Sequence, residues 1–214
     1  MNNQKAVDLF NKLADSYQQR FFSVDHYGES LNILLNHLEE RSKVLDVACG
    51  PGNISHYLLE RLPQLELLGI DLAPNMIELA RKNNPNARFL VYDALQIDYL
   101  DTSFDAIVVG FLFPYLAIEQ VELFLFKVYE KLNENGILYL STMTDLYENS
   151  RMKASSTGEE VMMYYYETGF LTRLLQQIGF RVISTHEQPF PVSETETDTD
   201  LILIAQKQAT PKNY

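Results

Sequence analysis

The chain has 214 residues, with 17 Lys and Arg against 29 Asp and Glu for a formal net charge of −12. That surplus of acid excludes a general binder of nucleic acids or anionic membranes, because both need Lys and Arg on the contact face. Hydrophobic residues at 46% and charged residues at 21% are ordinary for a globular protein. The length suits one large domain with a sizeable core.

The single Cys49 cannot form an internal disulfide, and Met1 leads straight into the polar Asn2-Asn3-Gln4-Lys5 with no cationic and then apolar segment. A cytoplasmic protein without an export signal is expected. The most apolar run, Ala106 to Ile118, is broken by Gly110 and Pro114 and falls short of the roughly 20 residues that span a bilayer, so no membrane association is expected.

From Gln4 to Phe22, apolar residues at Val7, Phe10, Leu13, Ala14, Tyr17 and Phe21 have the spacing of an amphipathic helix. After a break at Gly28, Leu31, Leu34, Leu35 and Leu38 predict a second helix that ends at Glu39-Glu40-Arg41. Short apolar runs then follow at 44–47, 67–70, 88–91, 104–109, 136–140, 180–183 and 201–204. Helical patterns fall at Asn53 to Leu62, Asn75 to Lys82, Glu119 to Leu132 and Glu167 to Ile178, the last stopped by Gly179. Strands apolar on both faces and alternating with helices predict a doubly wound α/β domain with a mostly parallel sheet. The last two strands have no helix between them and are expected to pair antiparallel. Residues 1–42 read as a helical N-terminal lid on a core of residues 43–214. Thr144 to Glu160, rich in Ser, Thr, Asn, Glu and Lys, reads as a mobile excursion, and the acidic stretch Ser193 to Asp200 as a solvated strand start.

The first strand runs through Asp46-Val47-Ala48-Cys49-Gly50-Pro51-Gly52 into a helix. In doubly wound sheets ligands bind at the carboxyl ends of strands, and glycines there let backbone approach a ligand closely. A glycine pair is also what a plain turn requires. Asp46 lies inside an apolar strand, and Asp71 and Asp93 close the next two strands. A carboxylate at the end of the second strand can accept both hydroxyls of a ribose. Each acid taken singly is also what a helix or turn cap requires. A nicotinamide-type G-x-G-x-x-G aligned on Gly50 and Gly52 needs Gly where Ser55 stands, and no Walker lysine follows the loop.

With these residues in hand, the chain resembles the class I S-adenosylmethionine-dependent methyltransferases from Val44 to Lys207. Asp46 to Gly52 is similar to their signature loop, with Ala48 in place of the first glycine. Gly69 to Ile77 resembles the second-strand block, Tyr92-Asp93-Ala94 the adenine block, Phe104 to Val109 the fourth strand, and Leu132 to Leu138 the approach to the fifth, with Glu134-Asn135 where many members have Pro-Gly. The resemblance implies a Rossmann-like, seven-stranded sheet with the last strand inserted antiparallel. It implies S-adenosylmethionine as cofactor and S-adenosylhomocysteine as product; no metal is assigned, because the acidic stretch Ser193 to Asp200, which could bind a divalent cation, alternates with Thr and leads into an apolar strand.

The roles it implies are these. Asp46 sits near the methionine amino end, with Ala48, Gly50 and Gly52 lining the cofactor. Asp71 holds the ribose, Leu72 and Met76 flank the adenine, and Asp93 accepts from its exocyclic amine beside the Ala94 amide. Gly110 and Phe111 edge the methionine and sulfonium. Tyr17 is the lid residue expected to touch the cofactor, and His26, with Tyr17, is a candidate for a catalytic role. Asp105, at the start of its strand, reads as structural. Aromatic and Met side chains at Phe21, Phe22, Tyr27, Phe113, Tyr115, Met143 and Met162 to Tyr166 suit a mostly apolar acceptor pocket. The expected activity is methyl transfer to a small-molecule acceptor. A protein methyltransferase, or a cofactor-binding sensor or partner subunit without turnover, remains open, as does a monomer or homodimer. Gly110-Phe111-Leu112-Phe113-Pro114-Tyr115 lacks the Asn/Asp-Pro-Pro-aromatic block of nucleic-acid enzymes.

Overall fold

The computed structural model describes residues 2–155, 157–191 and 197–209. In chain order the helix α1 (Asn2–Phe21) and a 3-10 turn (Asp25–Tyr27) lead to α2 (Gly28–Leu35), followed by β1 (Lys43–Val47), α3 (Asn53–Arg61), β2 (Glu66–Asp71), α4 (Pro74–Asn83) and β3 (Arg88–Val91). A 3-10 segment (Ala94–Tyr99) leads to β4 (Phe104–Gly110), and a second (Phe113–Tyr115) to α5 (Ile118–Lys131) and β5 (Leu132–Met143). The chain ends through β6 (Arg151–Ala154), β7 (Glu160–Met163), α6 (Thr168–Ile178), β8 (Phe180–Pro191) and β9 (Thr197–Lys207).

Seven strands form one sheet in the order β3-β2-β1-β4-β5-β9-β8, with β9 antiparallel to both of its neighbours. Strand residues alternate between faces, and both faces are covered. Leu45, Val47, Ile107, Val109, Leu138 and Leu140 pack with α5 and α6 on one side. Val44, Ala106, Val108, Ile137 and Tyr139 pack with α2, α3 and α4 on the other. Two apolar layers explain why these strands lack an alternating polar pattern. No helix among the described residues is long and apolar enough to cross a membrane.

Parallel strands deliver their carboxyl ends to one rim, and the sheet order reverses between β1 and β4. The antiparallel β9 arrives at that rim with its first residues, Asp200 lying in register with Met143 at the end of β5. Across the rim runs α1, whose Ala14 packs with Ala73, Met76 and Leu79, and whose Leu9 packs with Val161, Met163 and Tyr165. By contrast α2 belongs to the layer against the sheet, with Leu31 and Leu34 fully buried.

Two sequence expectations need correction. The second helix stops at Leu35 rather than at Glu39; His37 and Leu38 donate to Leu34 and Leu35, three residues back, so the last turn tightens out of the helix. The stretch 144–160, with Ser156 outside the described residues, contains the strand β6 and the first residue of β7 rather than a structureless excursion. Val161 and Met163 alternate inward from β7 onto Leu9 and Leu13 of α1, a tertiary contact that the polar composition conceals. Residues 193–196 of the acidic stretch lie outside the described residues.

Gly69 shows how tightly the sheet is built. A Cβ there would lie 2.3 Å from Phe89 Cδ1 and 3.1 Å from Cys49 Sγ. Gly69→Ala is expected to lower stability by about 1–3 kcal/mol through overpacking. Urea denaturation checks this, and Gly69→Ala/Phe89→Leu should recover part of the loss; equal losses in the single and double variants would contradict the contact.

Candidate functional site

The loop between β1 and α3 takes its shape from three left-handed residues, Ala48 (φ 55), Gly50 (φ 52) and Gly52 (φ 76). Gly52 also lacks room for a side chain, because a Cβ would meet Asn84 Nδ2 at 2.5 Å and Ala80 Cα at 3.2 Å. Asn84 donates to the Gly52 carbonyl at 3.0 Å and Asn83 to that of Pro51 at 2.8 Å, so α4 holds the loop from below. Ala48 adopts the same region with a Cβ, a conformation that costs an L-residue about 1–2 kcal/mol. It occupies the position where the resemblance expects glycine. Phe111, at the end of β4, is left-handed too (φ 50), and its amide donates to Ser141 O at 3.0 Å. Two of the three described left-handed non-glycine residues therefore lie at the ends of β1 and β4, the strands that flank the order reversal, the third being Asn135 early in β5.

Asp71 joins the loops. Its Oδ2 accepts from the Gly50 amide at 3.0 Å and its Oδ1 from the Ala73 amide at 2.8 Å. Burial raises the carboxyl's pKa from its ordinary value, opposed by the Ala73, Gly50 and Leu72 amides. Asp46, 1% exposed, accepts from Ser55 Oγ at 2.6 Å. Burial pushes its pKa up to about 7, with repulsion from Asp71 adding and the Ser55 hydrogen bonds opposing. Asp93 caps the following 3-10 segment, accepting from the Leu95 amide at 2.8 Å. The capping role that each acid could have filled is thus present at Asp93, on the same rim as Asp71. Asp105 lies at the opposite end, accepting from the Lys43 amide at 2.8 Å and from Asn133 Nδ2 at 2.7 Å.

Among the other predicted residues, Leu72 projects an exposed apolar surface at the rim, while Ala94 is buried. Met76, expected to flank the adenine, is 2% exposed and packed with Ala14 and Tyr17 of α1. Gly110 is half-buried and in register with Ser141, whose hydroxyl is buried without a hydrogen-bond partner. Tyr17 reaches over the signature loop, its Cε1 3.9 Å from where a Gly50 Cβ would stand. Burial raises its hydroxyl to about 12, with the Asp71 charge adding to the effect. His26 is exposed on the 3-10 turn, its ring 5.3 Å from that of Tyr27.

Sequence reading missed the most buried acid on the β9 side. Asp200 is 1% exposed and accepts from Tyr27 Oη at 2.6 Å, rather than standing in a solvated strand start. The signal was the one already used for Asp71 and Asp93, an acid at the edge of an apolar strand. In an antiparallel strand the rim residue is the first and not the last, so the rule had to be applied in reverse.

A family model described as a methyltransferase domain matches residues 44–136, from β1 into β5. Over that segment, which is less than half of its length, the chain is similar to the methyltransferases that the resemblance names. It is 35% identical over 110 residues to a demethylmenaquinone methyltransferase of Thermotoga maritima, covering 50% of this chain and 48% of that protein. The chain spans about half or less of the length of the curated relatives of that kind. Among solved structures, a methyltransferase from Methanosarcina mazei superposes with a TM-score of 0.72 at 22% identity, over 83% of this chain and 98% of that one. An N-methyltransferase from Bradyrhizobium japonicum, solved with S-adenosylhomocysteine, gives 0.71 at 16% identity over 98% and 100%. These two likenesses establish the methyltransferase fold.

The state of Asp46 has a measurable consequence. Between its ordinary value of 3.8 and about 7, the folded protein holds a proton that the unfolded chain has released. Stability is therefore expected to fall as pH rises through that window and to level off above it. Asp46→Asn should remove this contribution, so denaturation from pH 4 to 8 should show the wild type losing stability relative to the variant. Parallel profiles would rule the shift out.

Proposed function

We propose that this protein transfers the methyl group of S-adenosylmethionine to a small-molecule acceptor. The observation that carries this reading is the Asp71 bridge: one carboxylate holds both the left-handed loop after β1 and the start of α4, at the point where the sheet order reverses. The residues present fit the donor. Asp71 takes amide donors from Gly50, Ala73 and Leu72 and, with two lone pairs on each oxygen, still has capacity for a ribose hydroxyl. The exposed Leu72 offers an apolar surface to an adenine, Asp93 has a second oxygen for its amine, and Ala94 an amide. Ala48, Gly50 and Gly52 let the loop backbone approach the methionine portion, with Asp46 behind it. The unpartnered Ser141 hydroxyl lies beside Gly110 on the same side.

The bound donor supplies an already activated methyl group on a sulfonium. The chain has to align the acceptor with it and keep water away, contributions that can amount to several kcal/mol of barrier. In this reading α1 is the lid and Tyr17 the side chain that closes over the donor, with Gly110 and Phe111 at the edge of the sulfonium. His26 stands at the mouth of the site, where it can hold a proton of an acceptor that must lose one. In this reading the described residues from Lys43 onward form the core on which the lid packs.

Asp71→Ala should weaken S-adenosylhomocysteine binding by about one to two orders of magnitude, the worth of charged hydrogen bonds. Titration calorimetry on the folded variant measures it, and unchanged affinity would remove Asp71 from the site. Incubation with methyl-labelled donor and metabolite extract tests turnover. Label in a small molecule supports the proposal; label in protein, or binding without transfer, points to a protein-modifying enzyme or a sensor.

A further inference from the structure

Beside the donor loop the structure assembles a chain of aromatic rings from four separate elements. Tyr17 meets Phe21 at a centroid distance of 4.8 Å, Phe21 meets Phe190 at 6.3 Å, and Phe190 meets His26 at 6.3 Å. His26 meets Tyr27 at 5.3 Å, and Tyr27 meets Phe111 at 5.9 Å. The series starts over the Gly50 turn and returns to the end of β4, enclosing the acceptor side of the proposed donor site. All of its rings except His26 are half-buried.

At its base lies the Asp200 carboxylate, with Tyr27 Oη at 2.6 Å. Gln188, in register with Asp200 and on the same sheet face, has a buried side-chain nitrogen without a hydrogen-bond partner. Two of the described cations near this wall are engaged elsewhere, while His26 lies within electrostatic reach of Asp200. Lys153 pairs with Asp198 at 3.0 Å, and Arg20 stacks on Phe21 with its guanidinium carbon 4.9 Å from the ring centroid. Aromatic faces attract cations, and the Tyr27 hydroxyl occupies only one oxygen of this deep carboxylate, which leaves the other for a further donor.

We propose that the acceptor is an amine, bound as its ammonium ion against the Tyr27, Phe111 and Phe190 rings with Asp200 as its counter-ion. This rests on the methyl-transfer reading and names its substrate class. The ammonium N–H proton passes to the Asp200 carboxylate, leaving a neutral amine. Its lone pair then forms the new N–C bond to the methyl of the sulfonium donor, while the C–S pair stays on sulfur as a neutral thioether. The product is a methylated ammonium ion, and the proton on Asp200 passes to water. Burial, the largest influence on Asp200, raises its pKa from the ordinary carboxylate value, with the Tyr27 hydrogen bond and His26 opposing and Asp198 adding, which makes it a better proton acceptor.

The test uses the full chain and three probes of matched shape: benzylamine, benzyl alcohol and benzoate. Each is titrated with and without saturating S-adenosylhomocysteine. The wild type is expected to bind benzylamine at least about tenfold more tightly than either isostere. Asp200→Asn should erase most of that preference while leaving S-adenosylhomocysteine affinity unchanged, which also shows that the variant is folded. Phe190→Leu should weaken benzylamine several-fold more than benzyl alcohol, and it serves as the second variant if Asp200→Asn does not fold. Equal or tighter binding of benzyl alcohol or benzoate, or an amine preference untouched by both substitutions, would overturn the inference. Failure to bind S-adenosylhomocysteine would instead defeat the methyl-donor reading, with the amine arm judged separately.

Discussion

A buried carboxylate that accepts from two loops holds this rim together. Asp71 ends β2, yet its oxygens are spent on the amide of Gly50, in the loop after β1, and on the amide of Ala73, at the start of α4. Neither loop has strand partners at these positions. Without the carboxylate, two backbone donors would sit in a poorly solvated crevice unpaired, at about 1–3 kcal/mol each. With it, the left-handed residues Gly50 and Gly52 are held where α4 can grip the loop through Asn83 and Asn84. The strain at Ala48 is tolerated because its neighbours are fixed in this way.

Closure of the site follows from the same placement. Since the loop is low and made of small residues, α1 can lie across it, and Tyr17 approaches the backbone of Gly50 without a clash. The helix is anchored on both sides, through Ala14 to Met76 and Leu79, and through Leu9 to the β6–β7 hairpin. Surface contacts add little beyond this: Lys12 and Glu159 form an ion pair at 2.9 Å, but both side chains are about half exposed and screened. Hydrophobic packing sets the position of α1, and Met76 is buried for that reason.

Much of the fold was legible. Apolar runs separated by amphipathic stretches gave away a doubly wound sheet, because strands buried on both faces must be apolar throughout. Asp46, Asp71 and Asp93 stood out since an acid at the edge of such a strand needs a reason. The β6–β7 hairpin did not stand out, because its short strands are stabilised by α1 and not by their own pattern. Asp200 was hidden among Thr and acidic neighbours. Only the antiparallel insertion of β9 turns the beginning of that strand toward the rim and buries its carboxylate under Tyr27.

The chain's own order of residues determined the sheet class, the turn after β1 and the acids that end β2 and β3, since these depend on local periodicity and on backbone conformations that glycine favours. Tertiary structure decided which acids are capped, bridged or buried, and which rings meet. Tyr17, Phe21, Phe190, His26, Tyr27 and Phe111 come from α1, a 3-10 turn, β8 and the end of β4, and no local pattern relates them. Packing alone brings them together, with Tyr27 donating to Asp200. The excess of acid counted at the outset argued against polyanionic partners; only the tertiary structure shows that one of those acids, Asp200, is buried against the Tyr27 hydroxyl.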